Sequence, residues 1–135
     1  MRRCLDTTFL SDLIRGKAEA VEALEDWVAE GDEMVTTSIN WYEVGVGIAC
    51  EPTVRARRLA EAWKEVSARL HCAVLSPISA DVAAARQAEL FARGRPASTS
   101  DLLIAAMAFS HDCDVIVTRD EEDFRRIGLV KVVAH

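Results

Sequence analysis

The chain lacks the marks of several common protein classes. No apolar run approaches the ~20 residues of a membrane-spanning helix. The opening MRRCLDTT meets an aspartate before any signal-peptide core develops, so a cytoplasmic protein that does not engage a membrane is expected. The four cysteines, Cys4, Cys50, Cys72 and Cys113, include no C-x-x-C pair and have no histidine at ligand spacing. A structural zinc site or a redox motif is therefore not expected, and the four read as reduced core thiols. There is no basic excess either. Sixteen Lys and Arg stand against 22 Asp and Glu, for a net charge of −6. That excludes the usual nucleic-acid binder, which relies on a basic face. It is compatible with an enzyme that handles nucleic acid through a cation held by carboxylates. Repeats, low-complexity segments and linkers are also absent, which leaves one domain over residues 1–135.

What is present is an alternation of two patterns. Short Val-rich runs occur near residues 2–5, 34–38, 72–76, 114–118 and 129–133. They are apolar without long alternation, as buried parallel strands are. Longer stretches between them carry helical spacing. Residues 18–30 place Val21, Leu24, Trp27 and Val28 on one stripe, and residues 54–70 do the same with Leu59, Ala62, Trp63, Val66 and Leu70. An Ala-rich helix is expected over 80–92, closed by the GRP turn at 94–96. An almost wholly apolar helix follows over 100–110, and a short one over 121–127. Strands alternating with helices predict a parallel sheet covered on both faces, an α/β fold in three layers. Ligands of such sheets collect beyond the carboxyl ends of the strands.

Acidic residues fall where that rule directs attention. Asp6 follows the first strand. Glu43 lies on the helix after the second, on one face with Asn40 and Gly47, among Ile39, Trp41, Tyr42, Val44, Val46 and Ile48. Asp101 opens the apolar helix, and Asp120 and Asp123 follow the fourth strand. Each has a plain structural alternative. Asp6, Thr7 or Thr8 can cap the first helix, Ser98-x-x-Asp101 has the form of a capping box, and Asp120 can cap the helix at 121–127. Convergence would be a different matter. Two carboxylates ~4 Å apart repel by about 4 kcal/mol at an effective dielectric near 20. Such a cluster persists at neutral pH only if it is protonated or shares a cation. Oxygen-only ligation points to magnesium or manganese and to phosphoryl chemistry.

The segments LDTTFL, TTSINWYEVGVGI, GRPASTSDLLIAA and VIVTRDEEDF, taken in this order and spacing, resemble the PIN-domain ribonucleases, in particular the VapC-type toxins of toxin–antitoxin pairs. The resemblance implies a compact α/β/α sandwich with a short central parallel sheet and metal-dependent hydrolysis of RNA. It implies Asp6 and Asp101 as main metal ligands, with Glu43 binding the metal directly or through water. Either Asp120 or Asp123 would supply the last acid. Thr7, Thr8 and Thr118 match hydroxyl positions near the family site. DTT at 6–8 departs slightly from the commoner DTN or DTS but keeps the hydroxyl. A VapB-like antitoxin partner and a homodimer are implied as well.

Arg55, Arg57 and Arg58 form the densest basic cluster, while Arg93, Arg95 and Arg119 sit in or beside the motif loops. Each is a candidate for holding an RNA backbone, or an ordinary solvated side chain. Two rival enzyme classes fit less well. An aspartyl-phosphate phosphatase needs a second Asp where Thr8 stands, and a receiver-like domain needs paired acids at the first strand and a lysine near the last. Within the same fold, a nuclease of RNA processing or a silent binding module remains the alternative to a toxin.

Overall fold

The computed structural model describes residues 1–135. Five strands form one sheet: β1 (Arg2–Leu5), β2 (Glu33–Thr37), β3 (His71–Ala73), β4 (Val115–Thr118) and β5 (Lys131–Ala134). Their order is β3-β2-β1-β4-β5, and every pair is parallel. Seven helices connect them: α1 (Thr7–Ile14), α2 (Ala18–Ala29), α3 (Ser38–Ala49), α4 (Thr53–Ser67), α5 (Pro77–Ala92), α6 (Thr99–Ser110) and α7 (Glu121–Ile127).

Strand side chains alternate between two separate cores, as the two-residue period requires. Cys4, Val35, Ala73, Ile116 and Val132 point to one face and pack under α5, α6 and α7. Leu5, Met34, Val115 and Val117 point to the other, under α1, α2 and α4 and Val44 of α3. Two apolar faces covered by helices make the expected α/β/α sandwich. The strand order reverses between β1 and β4, so the crevice at their carboxyl ends lies between Leu5 and Thr118.

The apolar helix expected near 100–110 is α6, with Leu102 and residues 104–108 buried. Several boundaries differ from the sequence reading, each for a local reason. β3 stops at Ala73 because Ser76 caps α5 through a reciprocal bond with Ser79, and Pro77 takes the first helical position. Helix α5 therefore starts three residues before the expected 80, and Val74 and Leu75 are exposed. β2 ends at Thr37, whose side chain accepts from the Asn40 N–H and opens α3. β5 begins at Lys131 because Gly128, in the left-handed region, ends α7 first. On α2 the buried stripe runs through Ala20 and Leu24 with Trp27 beside it, while Val28 is exposed. The four cysteines are free, but only Cys4 and Cys113 are buried; Cys50 is exposed.

Gly128 has φ +68°, and a Cβ there would stand 3.3 Å from Arg86 Nη2 and 3.5 Å from the Arg125 carbonyl oxygen. A left-handed non-glycine residue costs about 1 kcal/mol before any contact is counted. Gly128→Ala is expected to lower stability by about 1–2 kcal/mol, seen as a lower urea midpoint with an unchanged slope.

Candidate active site

Asp6 is the residue on which the site is built. It sits at the N-cap position of α1, yet its side chain makes no capping bond. Its carboxylate is turned into the crevice and is almost fully buried. Oδ1 accepts from Asn40 Nδ2 at 2.9 Å and Oδ2 accepts from Thr118 Oγ1 at 2.6 Å. Burial pushes its pKa up, and the bonds from Thr118, the Thr7 backbone and Asn40 only partly oppose that; the charge of Asp120 adds to the rise.

Asn40 organises the second segment. It is fully buried at the start of α3, and its Oδ1 accepts from Thr37 Oγ1 at 2.7 Å. Its amide nitrogen also donates to Thr7 Oγ1 at 3.0 Å, and Thr7 in turn donates to Glu43 Oε1 at 2.7 Å. One chain of hydrogen bonds thus runs from Thr37 through Asn40 to Asp6 and to Glu43. Glu43 is half-buried and lines a small cavity of about 60 Å³ with Thr7 and Gly47. Nothing stands within 4 Å of a Cβ built on Gly47, so room does lie beside the carboxylate. The surroundings of Glu43 are otherwise than expected. Trp41, Tyr42 and Val46 are exposed, so α3 turns its polar face inward and much of its apolar face outward.

Asp101 lies in the first turn of α6. Ser98 caps that helix by accepting from the Asp101 N–H at 3.3 Å, so the structural reading of Ser98-x-x-Asp101 is correct for the backbone. The Asp101 side chain has a second relationship. Burial raises its pKa first, with the charges of Asp6, Asp123 and Asp120 adding to the rise while Ser98 lowers it. Asp101 and Asp6 therefore share one electrostatic environment with the loop after β4.

In that loop, Asp120 is exposed and occupies the N-cap position of α7 without a side-chain capping bond. Its N–H donates to Thr118 Oγ1 at 3.0 Å, so Thr118 holds both Asp6 and the start of the loop. Asp123 is paired with Arg126 Nη1 at 3.2 Å. Asp6, Glu43, Asp101 and Asp120 have no Lys, Arg or His partner, whereas Asp12, Asp32, Glu51 and Asp123 each have one.

Thr8 and Arg119 are turned away from the acids. Thr8 Oγ1 accepts from the Arg119 N–H at 3.0 Å and lies 3.1 Å from His135 Nε2. The Arg119 guanidinium pairs with Asp12, a buried acid also 2.9 Å from Lys17. Burial acts to raise the Asp12 pKa, but Arg119 and Lys17 outweigh it and hold the group below its usual value. Arg119 and Asp12 line a cavity of about 670 Å³ with Phe9, Trp27 and His135, separate from the four unpaired acids. Sequence reading placed Asn40 on the face of Glu43 without giving it a role, and it gave none to Thr37. The signal was the i, i+3 spacing of Thr37, Asn40 and Glu43 at a helix start.

Residues 3–129 match the PIN domain. The chain belongs to the PIN domain family. Solved structures agree in fold. A chain of the DNA-bound VapBC complex of Salmonella typhimurium is 26% identical, with a TM-score of 0.81 over 99% of this chain and 98% of that one. A chain of Rickettsia felis VapBC2 bound to a promoter DNA fragment is 20% identical, with a TM-score of 0.87 over 100% and 99%. VapBC-1 of nontypeable Haemophilus influenzae gives 20% and 0.82 over 99% and 98%. No curated protein matches the chain.

The donor set fits a hard cation, since Asp6, Glu43, Asp101 and Asp120 offer only oxygen and lack a cation of their own. As they stand, no three of them enclose a metal position. Asp6 and Glu43 are fixed by hydrogen bonds, while the side chain of the exposed Asp120 makes no capping bond. Asn40→Ala removes the amide that serves Asp6, Thr7 and Thr37 together. It is expected to cost about 2–4 kcal/mol, because it strands buried polar groups, one of them charged. Urea denaturation of wild type and variant measures the loss.

Proposed function

We propose that this PIN domain is a metal-dependent endoribonuclease and the toxin of a VapBC-like type II pair. The observation that carries the reading is the set of four unpaired carboxylates at the switch point of the sheet, two of them raised in pKa by burial. Buried anions left without counter-charge cost stability until they are protonated or a cation joins them. Asp6 and Asp101 are the ligands we assign to Mg2+ or Mn2+, with Glu43 and Asp120 completing the set. Asp120 is preferred to Asp123 because its charge acts on both Asp6 and Asp101, and because Asp123 is already spent on Arg126.

A divalent cation bound there favours deprotonation of water and offsets charge on the phosphate. The chain's own residues do the rest. Thr118 and Asn40 hold the Asp6 oxygens in one orientation, so no reorganisation is needed when substrate arrives. Thr7 aims Glu43 across the crevice, where its free oxygen can orient a water toward the phosphorus. Asp101 brings the remaining negative charge from the opposite helix layer.

The toxin assignment, with a VapB-like antitoxin as partner, is supported by family membership and by the VapBC complex of 26% identity. An acidic crevice lacking an internal cation suits an arginine from such a partner. A homodimer is in keeping with Tyr42 and Val46, exposed one turn apart on α3, and with Ile78 and Phe91 exposed on α5.

The test is cleavage of a labelled single-stranded RNA by the purified chain with Mg2+, Mn2+ or EDTA, beside Asp101→Asn. Cleavage is expected with metal and lost with EDTA or in the variant, by 100-fold or more, roughly the cost of removing one key electrostatic group. Equal trace activity in all conditions would refute a hydrolytic site.

Stability should move the other way. The folded-state pKa of Asp101 lies above its unfolded value, so the folded state holds the proton more tightly. That contribution is fully present at pH values below the ordinary carboxylate range and is lost as pH rises through the raised value. In EDTA, wild type should therefore lose melting temperature relative to Asp101→Asn as pH rises from about 4 to 7, and added Mg2+ should restore it only in wild type.

A further inference from the structure

An acid cluster in a chain of net charge −6 repels the polyanion it is meant to cut. Positive charge close to the crevice is needed, and most of the molecule's arginines are not available for it. Arg2, Arg3, Arg15, Arg55, Arg86 and Arg119 are each tied to a carboxylate elsewhere.

Beside the acid loop after β4, the arginines free of a carboxylate are Arg93 and Arg95. They lie in a cavity of about 340 Å³ between the loop after α5 and α7 that Leu90, Glu122, Arg125 and Arg126 also line, the last two paired with Glu121 and Asp123. It adjoins a second cavity of about 560 Å³ over Arg119–Asp123 and Arg125, and the two share Glu122 and Arg125. A continuous path thus leads from Asp120 across the first turn of α7 into a pocket with four guanidinium groups.

Two features prepare that pocket for an anion. Arg93 and Arg95 are exposed, and their side chains pair with no carboxylate and donate to no group of the chain, although their backbone is held by α5. The loop that carries them is fastened: Gln87 bonds both the N–H and the carbonyl of Ala97, at 3.1 and 2.8 Å. Arg126 reaches the Pro96 carbonyl at 3.5 Å through Nη2, while its buried Nε has no partner. Two unpaired guanidinium groups on a fixed loop facing an under-satisfied third one form a site for an acceptor-rich, doubly bonded anion.

We propose that this arginine-lined cavity binds the phosphodiester backbone of the RNA strand next to the bond cut at the acid cluster, with Arg93 and Arg95 making the phosphate contacts. The inference rests on the ribonuclease reading and adds the direction in which the strand leaves the crevice, over α7 toward the 93–97 loop. It also explains how an acidic chain retains a polyanion.

The experiment measures binding apart from cutting. Fluorescence anisotropy follows a labelled single-stranded RNA on wild type, on Arg93→Gln/Arg95→Gln and on Arg93→Lys/Arg95→Lys across a salt series, in EDTA so that the strand stays intact. Lys64→Gln/Arg69→Gln removes the same charge from exposed sites in the last turn of α4 and just beyond it, and serves as the control. Loss of two phosphate contacts should lower the slope of log affinity against log salt by about 1.4, equivalent to roughly 25-fold at 0.1 M salt. The lysine pair should recover most of that loss, and the control should match wild type. An unchanged slope in the glutamine pair overturns the proposal while leaving the nuclease standing, as does an equal loss in the control. The same holds if the glutamine pair loses binding only to an acidic peptide, which would make the cavity a protein-docking site. If wild type binds RNA and cuts it with Mg2+ yet the pair is normal, only the inference fails. If wild type neither binds nor cuts, the ribonuclease reading fails with it.

Discussion

The two hydrogen bonds on Asp6 are the constraint on which the rest of the site depends. They join the ends of β1 and β4 and the start of α3, three segments distant in sequence, through one buried carboxylate. Thr118 extends the tie to the loop carrying Asp120, and Asn40 extends it through Thr7 to Glu43. A buried polar network of this kind is favourable only when all its members are satisfied. Its geometry is therefore set by the whole fold. Displacing any one strand end would leave a charge or an amide without a partner, which explains why the crevice can be rigid although it is made from loops and helix ends.

Charge is distributed unequally along the strands. At their amino ends acids are neutralised: Asp32 accepts from the Met1 ammonium at 2.8 Å and from Arg3 Nε at 2.7 Å, and both hold it below its ordinary pKa. Arg3 also stacks on Trp27, 4.5 Å from the ring centre. At the carboxyl ends Asp6 and Asp101 are pushed the opposite way. Surface ion pairs contribute little individually, but half-buried ones such as Arg3–Asp32 contribute more. Stability is concentrated at one edge of the sheet, and the unfavourable charge needed for chemistry is confined to the other.

Much of this was legible in the sequence because parallel sheets obey strong rules. Val-rich runs separated by helical stretches located all five strands, and the carboxyl-end rule singled out Asp6, Glu43, Asp101 and the 120–123 acids. What stayed hidden depends on orientation. No periodicity reveals that Arg119, beside a motif acid, turns to Asp12, or that Thr8 faces His135 while Thr7 faces Glu43. Asn40 reads as one polar residue on a mixed helix until burial shows it bonded on both sides. The apolar face of α3 misled in the other direction, since a hydrophobic pattern marks burial against something without saying whether that partner lies in the same chain. Asp120 and Asp123 are equivalent in sequence and differ in the fold, Asp123 being paired with Arg126 and Asp120 alone acting on Asp6.

That ion pair also has a consequence for the crevice. By pairing with Asp123, Arg126 offsets one negative charge at the rim; the charge of Asp123 still reaches Asp101, while that of Asp120 acts on both Asp6 and Asp101. Glu121 is offset in the same way by Arg125, 3.0 Å away. Helix α7 therefore presents an uneven surface, with Asp120 and Glu122 unpaired and Glu121 and Asp123 paired with its arginines. Acids in its first turn and arginines in its last also suit the helix dipole, so this distribution costs the helix nothing. A polyanion lying across such a helix meets uncompensated charge at Glu122 and at the point where the acids converge, where a shared cation would offset it.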